Sequence, residues 1–184
     1  PDDIGASHID DDLPDHSDYL VGKVKQETRF TDAISKVFIG ELGGFIFEYY
    51  KYCFERAKMV EDSLPRDVDY QLNVINGWFV RQYAGDFNPL HIHDAQLSGV
   101  FFLKVPPSYE EEYRREDHYP SVGCLEFVGS VPNTFSKHSW MCKPIIGDLY
   151  LFPSWLTHQV YPFRSKGERR LGFNIHPDYP AHTQ

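Results

Sequence analysis

Two histidines separated by one residue, His91-Ile92-His93, precede a short polar turn and the apolar run Val100-Phe101-Phe102-Leu103; a third, His158, follows much later in the chain. On an extended chain residues i and i+2 point to the same face, so His91 and His93 can converge on one point. Imidazole suits first-row metals, and three protein ligands leave coordination positions open for exogenous molecules. The reading is therefore a metal site built from His91, His93 and His158. Asp94, one residue beyond His93, would point the other way on an extended strand, and replaces His93 if a turn begins there. A basic pair, Arg169-Arg170, follows His158. A guanidinium fork matches a carboxylate bidentately, so one of the pair can hold a carboxylate-bearing ligand. Strand alternation groups Arg169 with Leu171, Phe173 and Ile175, an apolar set. It groups Arg170 with Gly172, Asn174 and His176, which leaves room for a ligand, so Arg170 is the choice. Ser98, Val100 and Phe102 share another strand face that could line the same interior.

These residues need a scaffold that brings distant segments together. Residues 1–19 are acidic, poor in large apolar groups, and read as a tail; His8 and His16 within it read as solvated surface. Residues 20–184 read as a single domain. From 31 to 59 the apolar residues Ile39, Leu42, Phe45, Ile46, Tyr49, Tyr50, Cys53, Phe54 and Ala57 recur at steps of three and four, which predicts a helix, or two if Gly43-Gly44 breaks it. Over about 70–176 the pattern becomes strand-like: Tyr70–Ile75, Gly77–Tyr83, His91–His93, Leu97–Val105, Cys124–Val128, Leu149–Phe152, Gln159–Tyr161 and Arg169–Ile175. The polar stretch from Pro106 to Pro120 reads as a surface insertion of the kind that becomes a lid or a substrate-facing loop. Helical residues followed by a run of strands give an α+β fold with a jelly-roll-like sheet pair. Trp155 and Tyr161, close to His158, read as packing, and His118, His138 and His182 as surface.

Composition narrows the classes. Aromatic residues make up 16% of the chain, with 13 Gly and 13 Pro, which favours short strands and turns over a helical bundle. The net charge is −9, of which Asp2, Asp3, Asp10, Asp11, Asp12, Asp15 and Asp18 supply −7, leaving about −2 on the body. A near-neutral body lacks the clustered cations that nucleic-acid binding needs. The 3 cysteines, Cys53, Cys124 and Cys142, form no closely spaced pair, which fits a reducing, cytoplasmic setting. No apolar run is long enough to cross a membrane.

The context of the histidines adds a resemblance. Asn88-Pro89-Leu90-His91-Ile92-His93 leads into Leu97-Ser98-Gly99-Val100 and its aromatic pair. Gly147-Asp148-Leu149 runs through Phe152-Pro153-Ser154 to His158-Gln159-Val160-Tyr161-Pro162, and Arg170 precedes Phe173-Asn174. From about Trp78 to Ile175 this resembles the iron(II)- and 2-oxoglutarate-dependent oxygenases, in a prolyl-hydroxylase-like branch found in marine bacteria and their phages. The resemblance implies a double-stranded β-helix (jelly-roll) core with N-terminal helices packed on the major sheet. It implies Fe(II) at His91, His93 and His158, and 2-oxoglutarate and O2 as cosubstrates, with ascorbate as a stimulant. Arg170, Ser98 and Asn174 would serve the cosubstrate. The substrate implied is a prolyl residue of a peptide or protein, a small molecule being the other option; succinate and CO2 are the coproducts. The wider superfamily has a carboxylate two residues after the first histidine, where this chain has His93.

Two other readings stay open at this level. A three-histidine, cupin-like metal dioxygenase working without 2-oxoglutarate explains the histidines but leaves Arg170 without a role. A non-enzymatic jelly-roll binding module, with a structural metal or none, would want a fourth ligand such as Cys124 or Cys142. Oligomeric state is left open.

Overall fold

In a computed structural model, the structure describes residues 22–24, 26–58, 77–114, 121–129, 135, 137–167, 169–171 and 173–175. The acidic tail, the predicted strand Tyr70–Ile75, and His118 and His182 lie outside the described residues. Strand β1 (Gln26–Arg29) leads into helix α1 (Asp32–Lys58), then β2 (Trp78–Gln82), β3 (Asn88–His91) and β4 (Leu97–Phe101). Helix α2 (Tyr109–Tyr113) and strands β5 (Leu125–Val128), β6 (Ser139–Cys142), β7 (Leu149–Pro153), β8 (Thr157–Val160), β9 (Arg169–Leu171) and β10 (Phe173–Ile175) complete the order. All strand pairs are antiparallel, in three sheets ordered β1-β2-β9, β10-β4-β7 and β3-β8-β5-β6.

Helix α1 runs unbroken through Gly43-Gly44. Thr31 starts it: its hydroxyl accepts the Ile34 N–H at 3.3 Å and its carbonyl the Ser35 N–H, which satisfies amide donors that a helix leaves unpaired at its start. Ile46, Tyr50 and Phe54 are buried on one face, but Phe45, which the step pattern placed on the same stripe, is 68% exposed. It sits one residue, about 100° of helix turn, from Ile46.

The β4 and β7 sequences read as largely apolar, without strict alternation, because both their faces are covered. Phe101, Leu149 and Leu151 pack with Ile46, Phe38 and Leu42 of α1. The alternate residues Val100, Tyr150 and Phe152 join Trp78, Val80, Leu125, Phe127 and Val160 in the main core, whose members come from all three sheets. The core thus lies between the four-stranded sheet and the other two.

Three sequence expectations change. The run Arg169–Ile175 is two strands in different sheets, β9 on β2 and β10 on β4. The predicted strand at His91–His93 is instead Asn88–His91, ending at the first histidine. Strands β1 and β6 carry no clear alternation and were not anticipated. Within the insertion, α2 is pinned. The Glu112 carboxylate accepts the Arg164 N–H at 2.7 Å, the Ser165 N–H at 2.6 Å and the Ser165 hydroxyl, while the Tyr109 hydroxyl donates to Val122 O at 2.6 Å. Among the described residues no helix is long and apolar enough to cross a membrane.

Candidate metal centre

His91 closes β3 and His158 is the second residue of β8; the two are direct partners in the register of the four-stranded sheet. Opposite residues of an antiparallel pair share a face, and their ring centroids lie 4.2 Å apart. His93 arrives differently. It lies past the end of β3, and its N–H donates to Ser154 O at 3.0 Å, while Ser154 N–H donates to Gln96 O at 3.1 Å. The β7–β8 turn thereby folds the post-strand segment back, and His93 Nε2 comes to 3.1 Å from His158 Nε2. One ring nitrogen from each of His91, His93 and His158 lies within 4.8 Å of the others, and no other histidine, cysteine or acid among the described residues belongs to the group. Asp94 is exposed and outside it, and so are Cys124 and Cys142.

The ring tautomers follow from backbone partners. His91 Nδ1 stands 2.6 Å from Pro89 O and His158 Nδ1 2.9 Å from Leu156 O. A carbonyl only accepts, so each Nδ1 carries the hydrogen and each Nε2 presents a lone pair. Both contacts reach the carbonyl two residues back, an orientation that metal-bound histidines commonly use. Burial pushes the pKa of His158 down to about 4 and that of His91 below its ordinary value, because a charged imidazolium loses its hydration inside the protein. Both rings are therefore neutral at pH 7, the protonation state a metal requires. The 3.1 Å spacing of the two Nε2 atoms also fits a metal. Two nitrogens about 2.1 Å from a common ion at right angles are about 3.0 Å apart.

An aromatic wall surrounds the rings. Trp78 meets His93 at 5.9 Å between centroids, Phe152 meets His158 at 4.8 Å, and Phe127 meets Phe152 edge-on at 4.8 Å. His158 is 2% exposed.

Ser98, fully buried, makes a 2.7 Å hydroxyl–hydroxyl bond with Ser154, also fully buried. Asn174 is the register partner of Ser98. Arg170 stands opposite Arg81, and Arg169 opposite Gln82. The alternation that singled out Arg170 assumed one continuous strand, but β9 pairs with β2 and β10 with β4 in different sheets, so a face cannot be carried from Asn174 back to the arginines. Trp155 is not packing: it is 68% exposed, in the turn before β8. The Tyr161 hydroxyl bonds Glu126 at 2.8 Å. His138 is exposed, as expected. Ser154 and the carbonyls of Pro89 and Leu156 were missed; only the Phe-Pro-Ser motif around Ser154 hinted at any of them.

Residues 76–174, more than half of the chain, match the family described as "Putative 2OG-Fe(II) oxygenase". No curated protein matches the chain in sequence. Among solved structures, a Pseudomonas putida prolyl-4-hydroxylase aligns at a TM-score of 0.50 and 15% identity, covering 90% of this chain and 78% of that one. An oxidoreductase of the 2OG-Fe(II) oxygenase family from Burkholderia pseudomallei aligns at 0.50 and 14% identity, covering 91% and 73%. At such identities these two likenesses speak for the fold.

Proposed function

The chain belongs to the 2OG-Fe(II) oxygenase family, and on that premise we propose that residues 20–184 form one Fe(II)- and 2-oxoglutarate-dependent dioxygenase domain that hydroxylates a prolyl residue of a peptide or protein. The observation that carries this reading is the group of three imidazoles whose ring nitrogens lie within 4.8 Å of one another, with the Nδ1 of His91 and of His158 tied to backbone carbonyls. His91, His93 and His158 would hold the iron. Bound Fe(II) and 2-oxoglutarate together supply the activation of O2, with succinate and CO2 as coproducts and ascorbate as a stimulant.

The protein's own part is orientation and exclusion of water. The backbone carbonyls fix two rings in the ligating tautomer. Trp78, Phe127 and Phe152 wall the centre against solvent on the core side. Arg170, chosen from the sequence, or Arg169, whose register partner is the buried Gln82, would take the distal carboxylate, with Ser98 and Asn174 as paired positions on β4 and β10. The β3-β8-β5-β6 sheet and the two three-stranded sheets form the walls of a double-stranded β-helix, with α1 outside. No nucleic-acid or membrane role is part of the proposal; a small-molecule substrate is its nearest variant.

The test is anaerobic titration of the metal-free protein with Fe(II) and 2-oxoglutarate, followed by the visible charge-transfer band of the chelate. A band that needs both additions and is lost in His158→Ala and in an arginine variant supports the reading. Iron uptake with no 2-oxoglutarate band points to a three-histidine dioxygenase, and no metal uptake refutes the enzyme.

A further inference from the structure

Strand β4 turns its two faces to different surroundings. Val100 and Phe102 enter the main core with Phe127 and Phe152, which wall the histidines, while Phe101 packs on the α1 side. On that far side lies a cavity of about 390 Å³, bounded by α1, β2, β4 and the residue that follows β1. Phe30, Phe79 and Phe101 line it, and Val37 and Leu103, 67% and 40% exposed, stand at its mouth. Its size falls within the range of small-molecule sites. The wall is fixed in place. The Phe30 N–H donates to Gly77 O at 2.7 Å, a Cβ at Gly77 would overlap the Phe30 ring, and that ring lies 4.7 Å from the Phe79 ring between centroids. The phenyl group is thus seated between a glycine backbone and a second ring. Among the described residues that line the cavity only Glu41 is charged. Its carboxylate is exposed and enters no hydrogen bond or ion pair among them.

We propose that this cavity binds a small amphiphilic ammonium compound, an apolar body carrying one positively charged nitrogen. The phenylalanines take the body, and the nitrogen stays at the mouth beside Glu41. A charged group costs much free energy to bury and little to leave at an exposed rim. An amphiphile with its charge at one end therefore suits an apolar cavity with a single acid at its edge. A fatty carboxylate of the same length meets the Glu41 charge and is disfavoured, while a neutral alcohol fills the space without gaining a partner. The aromatic lining strengthens the choice, because ring faces attract ammonium groups. The cavity lies across β4 from the core that holds the histidines and needs neither iron nor 2-oxoglutarate, so the inference does not depend on the reaction at the metal centre.

The experiment is calorimetric titration of the full chain with hexyl-, heptyl- and octyltrimethylammonium, 1-octanol and octanoate. A quaternary nitrogen has no lone pair, so these probes cannot ligate a metal at the histidines. Each added methylene should tighten binding about fourfold, the effect of taking one CH2 out of water. Octyltrimethylammonium should bind about three- to fivefold more tightly than octanol, the size of one exposed ion pair, and octanoate most weakly. Glu41→Gln keeps the side-chain shape and should bring the ammonium and the alcohol level. Val37→Trp alters an exposed helix position, sets an indole at the mouth, and should weaken every probe. No binding by any probe, octanoate binding as tightly as the ammonium, or an ammonium affinity unchanged in both variants overturns the proposal. So does binding that is abolished in His158→Ala, since the probe would then sit at the metal centre.

Discussion

Replacing Ser154 with alanine tests how the post-strand segment carrying His93 is secured. The Ser98 and Ser154 hydroxyls lie 2.7 Å apart and both residues are fully buried. Removing one oxygen leaves the other in the core without the side-chain bond it makes among the described residues, at a cost of about 1–3 kcal/mol. For a chain of this length each kcal/mol lowers the melting temperature by about 2–4 °C. Ser154→Ala and Ser98→Ala should each therefore lower it by several degrees. The double variant deletes both polar partners at once and should be nearly neutral, so the two effects do not add. Thermal melts of the metal-free proteins supply the double-mutant cycle. The backbone bond from His93 N–H to Ser154 O survives either change, so iron affinity in the double variant should stay near that of the parent. Additive losses in the cycle would refute the idea that the pair acts as a unit. A double variant as stable as the parent but unable to bind 2-oxoglutarate would show that Ser98 serves the cosubstrate directly.

Other outcomes follow from the same structure. The pKa of His158 is pushed down to about 4 by burial, from an ordinary 6.5. Between those values the unfolded chain takes up a proton that the folded protein refuses. The contribution is full above pH 6.5 and is lost as pH falls towards 4, by about 3 kcal/mol in all. Urea midpoints of the metal-free protein should show this loss, and His158→Gln should flatten it; equal slopes in both proteins would contradict the assignment. On the proposed reading, in which Arg170 holds the distal carboxylate, Arg170→Ala should weaken 2-oxoglutarate binding at least about 30-fold, because a carboxylate then loses its charged partner. The same loss in Arg169→Ala, with Arg170→Ala unaffected, would move the role by one residue. Glu112→Ala removes an acceptor shared by the Arg164 and Ser165 amides and should cost about 1–3 kcal/mol. Hydrogen exchange should then quicken at those two amides, and unchanged protection there would show that α2 is secured by other contacts.

The sequence by itself determined the kind of protein this is. Periodicity located α1 to within a residue at each end, since a helix packed on a sheet must repeat its apolar residues every three to four positions. Histidine and arginine types, in motifs strung along one order, were enough for the family. What alternation could not determine was anything that depends on where a strand stops. His91 and His93 looked equivalent as i and i+2 on one strand, yet β3 ends at His91 and His93 reaches the group through the β7–β8 turn. Arg169 and Arg170 looked separable by parity until the run split between two sheets. The tautomers of His91 and His158, the Ser98–Ser154 bond, and the pairing of His91 with His158 all join residues far apart in the chain or set ring orientation by backbone carbonyls. The physical reason is that local sequence encodes which face a residue takes within one element. The register between elements is decided by antiparallel hydrogen bonding and core packing of the whole chain, and at this site that register sets the chemistry.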